Sequence, residues 1–207
     1  MTLKLYYHPL SGHSHRVRLF LTLVNEPFEL VGVDILRGEQ KTNEFLKMNR
    51  FGQVPVLRDG DAVLADSNAI LIYLAKKLGR HDWLPEDPMG AAAVQRWLSV
   101  AAGEVAYGVA TARRIRISGP KPVPDEVLSR SYALLKVLDD ELETRNWLAG
   151  ASPTLADLAV YGYVARAPEG GIDLTVFPHV QSWLCRVESL PGFVPFAKTA
   201  VGVAAPA

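Results

Sequence analysis

Residues 54–65 read VPVLRDGDAVLA, and the fold turns on how this stretch is read. Two β-rich runs flank Asp59-Gly60, the dipeptide a tight type I′ turn favours, so the segment reads as a β-hairpin. Upstream, Leu3-Lys4-Leu5-Tyr6-Tyr7 alternates as a half-buried strand does. Val17, Phe20, Leu21 and Val24 then recur at helical spacing, and Phe28 to Asp34 reads as a second strand. Downstream of the hairpin, Ile70, Leu71, Leu74 and Leu78 fall on one side of a helix. The order is β-α-β, a segment of open structure, then β-β-α.

A βαβ unit joins parallel strands by a right-handed crossover, and a trailing hairpin adds an antiparallel edge. This is the plan of an α/β, thioredoxin-like domain, expected over residues 1–79, although other small α/β folds share the order. Beyond it the chain carries helix signals alone. Val94, Trp97, Leu98, Ala101 and Val105 make one apolar stripe, and Val127, Leu134, Leu138 and Leu142 another. Leu155, Leu158 and Ala159 begin a third, and Val180, Trp183, Leu184 and Val187 form the last. Such stripes must pack on one another, which predicts an all-helical bundle over residues 88–207. The Gly-, Pro- and acid-rich stretch between, GRHDWLPEDP, predicts a linker over residues 80–87.

Composition narrows the function. Twenty-two basic and 22 acidic residues cancel in a chain of 207. A neutral balance supplies no long-range field for nucleic acid or an anionic membrane. One cysteine, Cys185, excludes a disulfide framework and a thiolate-rich zinc site. Beside Leu184 on its helix stripe, it is expected to be buried and unreactive. The chain opens MTLKLYY without a leader pattern, and no apolar run reaches the roughly 20 residues that span a bilayer. The expectation is a soluble, cytoplasmic protein whose final TAVGVAAPA frays.

Several short segments admit chemistry as well as structure. Ser11 sits between the first strand and first helix, where a hydroxyl caps the helix. At the positive end of a helix dipole, the same hydroxyl can donate to a bound thiolate. His8, His13 and His15 crowd this loop, but no Cys, Asp or Glu lies between them and the spacing fits no zinc pattern. Polar contacts, and no metal, are expected there. Pro55 lacks an N–H and belongs at a strand's first positions. The residues alone leave its peptide bond open: a cis form would turn the Val54 peptide toward a ligand. Asp66-Ser67 is a good N-cap, and equally an acid beside a carboxylate-binding helix start, suited to an α-amino-acid head. Thr154 and Asp157 have the spacing of a capping box, a structural feature whose members are each expected to contribute about 1 kcal/mol. Arg113-Arg114-Ile115-Arg116 reads as a solvated basic helix end, or as a site drawing an anionic co-substrate.

Four segments, LYYHPLSGHSHRVR, FGQVPVL, ADSNAILIYLAKKL and SPTLADLAVYGYVA, together resemble the cytosolic glutathione transferase family in order and spacing. The resemblance implies a thioredoxin-like domain with a cis proline at Pro55, a helical domain, a homodimer, and conjugation of the glutathione thiolate to small hydrophobic electrophiles. Glutathione enters as co-substrate. By position, Gln53, Val54 and Pro55 flank its cysteinyl backbone, Asp66 and Ser67 hold its γ-glutamyl end, and Gln40 or Lys41 approaches its glycine carboxylate. Phe51 matches an aromatic that enters the partner subunit in some classes. The loop is similar to the serine-type pattern of the zeta class, with theta and delta patterns near it, and this puts Ser11 in the catalytic place. Gly12 and His13 depart from the zeta pattern, and Tyr6 and Tyr7 are the alternative thiol activators. Leu10, His13, Tyr107, Arg113 and Arg114 are the candidates facing the electrophile. A glutathione-binding carrier or regulatory module without turnover, and a glutathione-dependent isomerase or peroxidase, are the competing readings.

Overall fold

The structure is a computed structural model and describes residues 2–203. The chain forms two compact units. One holds the residues up to Arg80 together with Pro191–Ala197, and the other holds His81–Leu190 and the residues from Lys198 onward.

In the first unit the strands β1 (Leu3–Tyr7), β2 (Phe28–Gly32), β3 (Val56–Asp59) and β4 (Ala62–Ala65) make one sheet in the order β2-β1-β3-β4. β1 runs parallel to β2 and antiparallel to β3, and β3 and β4 form the hairpin. The helices are α1 (Gly12–Leu23), a short α2 (Asn43–Met48) behind a 3-10 turn (Glu39–Lys41), and α3 (Ser67–Lys77). Leu5 pairs with Leu57 on one face, and both are buried with Val17, Phe20, Leu21, Ile70, Leu71 and Leu74. Tyr6 and Val56 alternate to the other face, in a cluster with Val33 and Phe45. The thioredoxin-like plan therefore stands, and α2 fills the segment left open by the sequence.

The hairpin turn differs from the expectation by one residue. Asp59 pairs with Ala62, so the two loop residues are Gly60 and Asp61. Among the described residues of the turn, only Gly60 has positive φ (+59°), the pattern of a type II′ turn. Asp59 remains in the strand, where Tyr73 and Lys77 of α3 both donate to its Oδ2.

The second unit contains α4 (Pro88–Val100), α5 (Val109–Ile117), α6 (Asp125–Glu143), α7 (Leu155–Val164) and α8 (Pro178–Glu188). The first apolar stripe is buried along its whole length, but a π turn (Ala101–Val105) and Gly108 end the helix and make α5 a separate element. The expected linker is partly incorporated into this unit. Trp83 and Leu84 are buried, Trp83 O accepts from Leu155 N–H at 3.0 Å, and Asp87 caps α4 ahead of Pro88.

Three expectations need correction. Cys185 is exposed, because its place on α8 is turned about 140° from Val180 and so away from the stripe of Val180, Trp183, Leu184 and Val187. The C-terminal tail is held as far as Gly202: Thr199 N–H donates to Glu169 Oε1 and Gly202 N–H to Arg116 O. The rest of the expected fraying falls on residues 204–207, outside the described residues. Finally, Pro191–Ala197 belongs with the first unit rather than with the helical one.

The capping box at α7 forms, and Asp157 does more than cap. Its Oδ2 accepts from Thr154 N–H and hydroxyl at 2.9 and 3.3 Å. Its Oδ1 accepts from Leu148 N–H at 3.0 Å and from the indole N–H of Trp183 at 2.9 Å. One fully buried carboxylate thus ties α7, α8 and the loop before α7. Burial pushes its carboxyl up from the ordinary range, and these hydrogen bonds oppose the push. Asp157→Ala strands at least three buried donors, each costing about 1–3 kcal/mol. Urea unfolding should therefore show a loss above ~3 kcal/mol, against ~1 kcal/mol for Thr154→Ala. Equal losses in the two variants would reduce Asp157 to a simple cap.

Candidate functional site

Strand register gathers the candidate residues. Tyr7 pairs with Gly32, Tyr6 with Val56, and Val56 with Ala65. The C-terminal ends of β1, β2 and β4 and the start of β3 therefore lie at one end of the sheet. From that end depart the Ser11 loop, the Gln40-Lys41 segment, Gln53-Val54-Pro55 and Asp66-Ser67. The Val54–Pro55 peptide is cis.

Ser11 caps α1: its Oγ accepts from Ser14 N–H at 3.1 Å. Two further bonds close the loop, Ser11 N–H to His8 O at 3.0 Å and His8 N–H to Ser14 Oγ at 3.3 Å. The Ser11 hydroxyl thus sits half-buried at the positive end of a 12-residue helix. Being an acceptor for Ser14, it keeps its proton to donate elsewhere. Tyr6, by contrast, is packed into the apolar cluster of the sheet. The structural and chemical readings of Ser11 are therefore compatible.

Asp66 is the least expected geometry in the unit. It holds φ +70° and ψ 126°, a conformation that costs a non-glycine residue about 1–3 kcal/mol. Its carboxylate accepts from Asn68 and Ala69 N–H at 2.8 and 3.0 Å, and this capping fixes the strained backbone. The side chain remains exposed at the head of α3.

The heads of α1 and α3 are joined by a residue that sequence reasoning passed over. Arg16 is 2% exposed, and its guanidinium donates to Ser67 Oγ at 2.9 Å and Asn68 Oδ1 at 2.6 Å. His13 Nδ1 lies 3.3 Å from the same Ser67 hydroxyl. Burial, reinforced by the Arg16 charge and opposed by Asp66, drives the His13 imidazole down to about 3. His13 is thus a neutral ring. A buried cation and two helix starts give this end of the sheet a positive potential, with Asp66 as the acid on its rim. The signal in the sequence was a charge at i−4 from Phe20, on the helix face that should have been apolar.

A second overlooked residue, Asn49, shapes the Gln53 loop. It is buried, its Oδ1 accepts from Phe51 N–H at 3.1 Å, and its Nδ2 donates to Gln53 O at 2.9 Å. Gly52 (φ +59°) lies so close to the preceding segment that a Cβ would meet Gln40 O at 2.7 Å. Lys41 Nζ donates to Phe51 O at 3.1 Å. Gln40, Lys41 and Gln53 are thus brought together, and Phe51 projects beside them, 80% exposed.

The three loop histidines diverge. His8 Nδ1 accepts from Leu10 N–H at 3.1 Å, and burial holds its ring below the usual range. His15 turns to the Val194 carbonyl. Among the described residues no group of His, Cys, Asp or Glu is arranged to hold a metal ion. In the second unit Tyr107 and Arg114 are exposed. Arg113 is not a solvated cation: it is 2% exposed and pairs through Nε with Glu169 at 2.7 Å and through its terminal nitrogen with Thr199. That pairing removes it from the residues able to face an electrophile.

Residues 1–76 match the family model for the N-terminal domain of glutathione S-transferase, and residues 100–191 that for its C-terminal domain. Human glutathione S-transferase theta-2B is 34% identical over 202 residues, spanning 93% of this chain and 83% of the relative. The disulfide-bond oxidoreductase YfcG of Escherichia coli is 29% identical over 197 residues, spanning 90% of each chain. Among solved structures, a possible glutathione S-transferase from Rhodopseudomonas palustris superposes with a TM-score of 0.86 at 36% identity, covering 96% of this chain and 100% of that one.

The His13 geometry sets a pH dependence. Its folded value, about 3, lies below the ordinary 6.5, so on acidification the unfolded chain takes up this proton first. The contribution to stability is complete above pH 6.5 and is lost as the pH falls toward about 3. The His13 ring should show no NMR titration near 6.5, and His13→Gln should flatten this part of the stability curve. A midpoint near 6.5 for His13 would contradict the partly buried, cation-flanked placement.

Proposed function

Since the chain belongs to the glutathione S-transferase family and is a glutathione transferase, we propose that its first unit binds glutathione at the end of the sheet described above and adds the thiolate to small hydrophobic electrophiles. The observation that carries this reading is the pairing of two helix starts, Ser11 on α1 and Asp66-Ser67 on α3, through Arg16. The thiol lies at Ser11, whose hydroxyl donates to the sulfur as it ionises. The cysteinyl backbone meets the Val54 peptide beside Pro55 and Gln53. The γ-glutamyl head is held at Asp66 and Ser67: the acid faces its ammonium, and the helix start with Arg16 beneath it favours its carboxylate. Gln40 and Lys41 receive the glycine carboxylate. Leu10 and His13 face the electrophile, His13 as a neutral ring. The exposed Phe51 supports a homodimer in which it enters the partner, and we assign the protein to the cytosol.

One observation favours a second reading. The similarity to an oxidoreductase of disulfide bonds supports glutathione-dependent disulfide exchange. No cysteine lies in the loop from His8 to Arg16, so the attacking sulfur would be that of glutathione itself. Two glutathiones would then reduce one disulfide, yielding two thiols from it and one glutathione disulfide.

Ser11→Ala should lower turnover with a generic aryl halide on the order of 10²-fold, in the range for removing one positioned donor. The glutathione Kd from calorimetry should change less than about 2-fold, since the tripeptide's two ends bind elsewhere. Asp66→Ala should do the reverse, weakening glutathione roughly 10-fold or more. Full turnover in Ser11→Ala would move thiol activation to Tyr6 or Tyr7. Binding without turnover on a broad electrophile panel, with disulfide exchange intact, would favour the second reading.

A further inference from the structure

The proposed chemistry leaves His15 without a role, although it is 6% exposed and one turn from Ser11. Its ring is committed to a segment far along the chain. His15 Nε2 lies 2.8 Å from the Val194 carbonyl oxygen. A carbonyl only accepts, so Nε2 carries the proton and donates. The ring also stacks on Phe196, with centroids 5.0 Å apart and planes inclined by 20°, and Phe196 is itself 2% exposed. The same segment, Pro191–Ala197, touches the other end of α1. Gly192 has φ +86°, and a Cβ there would lie 2.9 Å from Thr22 O. This strap returns to the first unit after the helices of the second and lies along α1 from its last turn to its first.

The strap reaches Ser11 through one residue. His15 N–H donates to Ser11 O at 3.0 Å, the bond that closes the first turn of α1. The residue whose N–H closes the first turn on the Ser11 carbonyl is thus the residue whose side chain the strap grips. We propose that His15 is a positioning residue for Ser11: by binding Val194 and Phe196, it uses the Pro191–Ala197 strap to hold the first turn of α1, and with it the Ser11 hydroxyl, in the geometry needed for the thiolate. The proposal rests on the reading of Ser11 as the thiol activator. His15 itself touches no substrate.

The test compares the intact enzyme with His15→Leu, His15→Gln, Gly192→Ala and Phe196→Leu. The last two disturb the strap without substituting a residue of α1, Gly192→Ala by pressing a Cβ toward Thr22 O at the end of the helix remote from Ser11. His15→Gln retains a donor near the place of Nε2, whereas His15→Leu has none. Four readouts apply: kcat with an aryl halide, glutathione Kd, ionisation of the bound thiol followed by thiolate absorbance against pH, and hydrogen exchange at the Ser14 and His15 amides. Misplacing a catalytic group from a distance costs rate before affinity. Gly192→Ala, Phe196→Leu and His15→Leu should each lower kcat roughly 10-fold, raise the pKa of the bound thiol and speed first-turn exchange roughly 10-fold. Glutathione Kd should stay within about 2-fold, and His15→Gln should recover most of the kcat lost in His15→Leu. If Gly192→Ala and Phe196→Leu lower Tm but leave kcat, thiol ionisation and first-turn exchange at wild-type values, the strap is only structural and the proposal fails. Ser11→Ala in the same panel separates the premise. Should it keep full turnover, the Ser11 assignment fails alone, and the exchange data still decide whether the strap holds the helix start.

Discussion

Arg16 carries a full positive charge to a position 2% exposed, and its guanidinium is received by Ser67 and Asn68 at the start of another helix. Burying such an ion costs several kcal/mol unless hydrogen bonds compensate it. The heads of α1 and α3 cannot separate without stranding that charge, which couples the two helix starts. The same cation sets the local electrostatics. It helps to hold His13 neutral, and it adds to two helix dipoles at the point where an anionic head would dock. The strain at Asp66 belongs to this arrangement: a backbone at φ +70° persists because capping of α3 and the clamp on Ser67 leave it no alternative.

The Arg16 clamp was not legible in the sequence, but much of the fold around it was, because it follows from periodicity and punctuation. The alternation of Leu3 to Tyr7, the hairpin signal around Gly60 (read one residue early, as Asp59-Gly60) and the Ile70-Leu71-Leu74 stripe determine strands and helix almost independently of context. Strand register then places Ser11, Pro55 and Asp66 at one end of the sheet, since parallel and antiparallel pairing leaves only one end where those loops can emerge. The resemblance to glutathione transferases named those positions, and register explains why they meet. The illegible features depend on contacts between distant residues. Nothing local marks Asn49 as the holder of the Gln53 loop, or Asp157 as the acceptor for Trp183. The burial of Arg113 needs Glu169, 56 residues away, and the exposure of Cys185 needs the phase of α8, which one residue decides.

The second unit repeats the physical pattern of the first with the sign reversed. There a buried carboxylate, Asp157, collects donors from a helix start, a loop and an indole, as Arg16 offers donors to a helix start. Each unit thus holds a buried ionisable group, Arg16 in the first and Asp157 in the second, whose hydrogen bonds require a specific placement of helices. Apolar packing alone tolerates small rotations of a helix, whereas an ion left without its partners does not. The pattern favours units that are not only stable but fixed in geometry.

Fixed geometry is what thiol chemistry demands. A free thiol with a pKa of ~8.5 is about 3% thiolate at neutral pH, and a shift of ~2 units yields about 25-fold more. Because nucleophilicity falls with pKa at a slope of ~0.4–0.5, roughly 6–10-fold of that gain is returned. Ionisation by itself leaves a net advantage of only a few-fold. The larger part of any rate enhancement must come from holding sulfur and electrophile in contact, where effective molarities become very large. A helix start cinched by Ser11, His8 and Ser14, clamped to α3 by Arg16 and gripped from behind through His15, answers that requirement directly. On the proposed reading of Ser11, rate is therefore tied more closely to positioning than to ionisation.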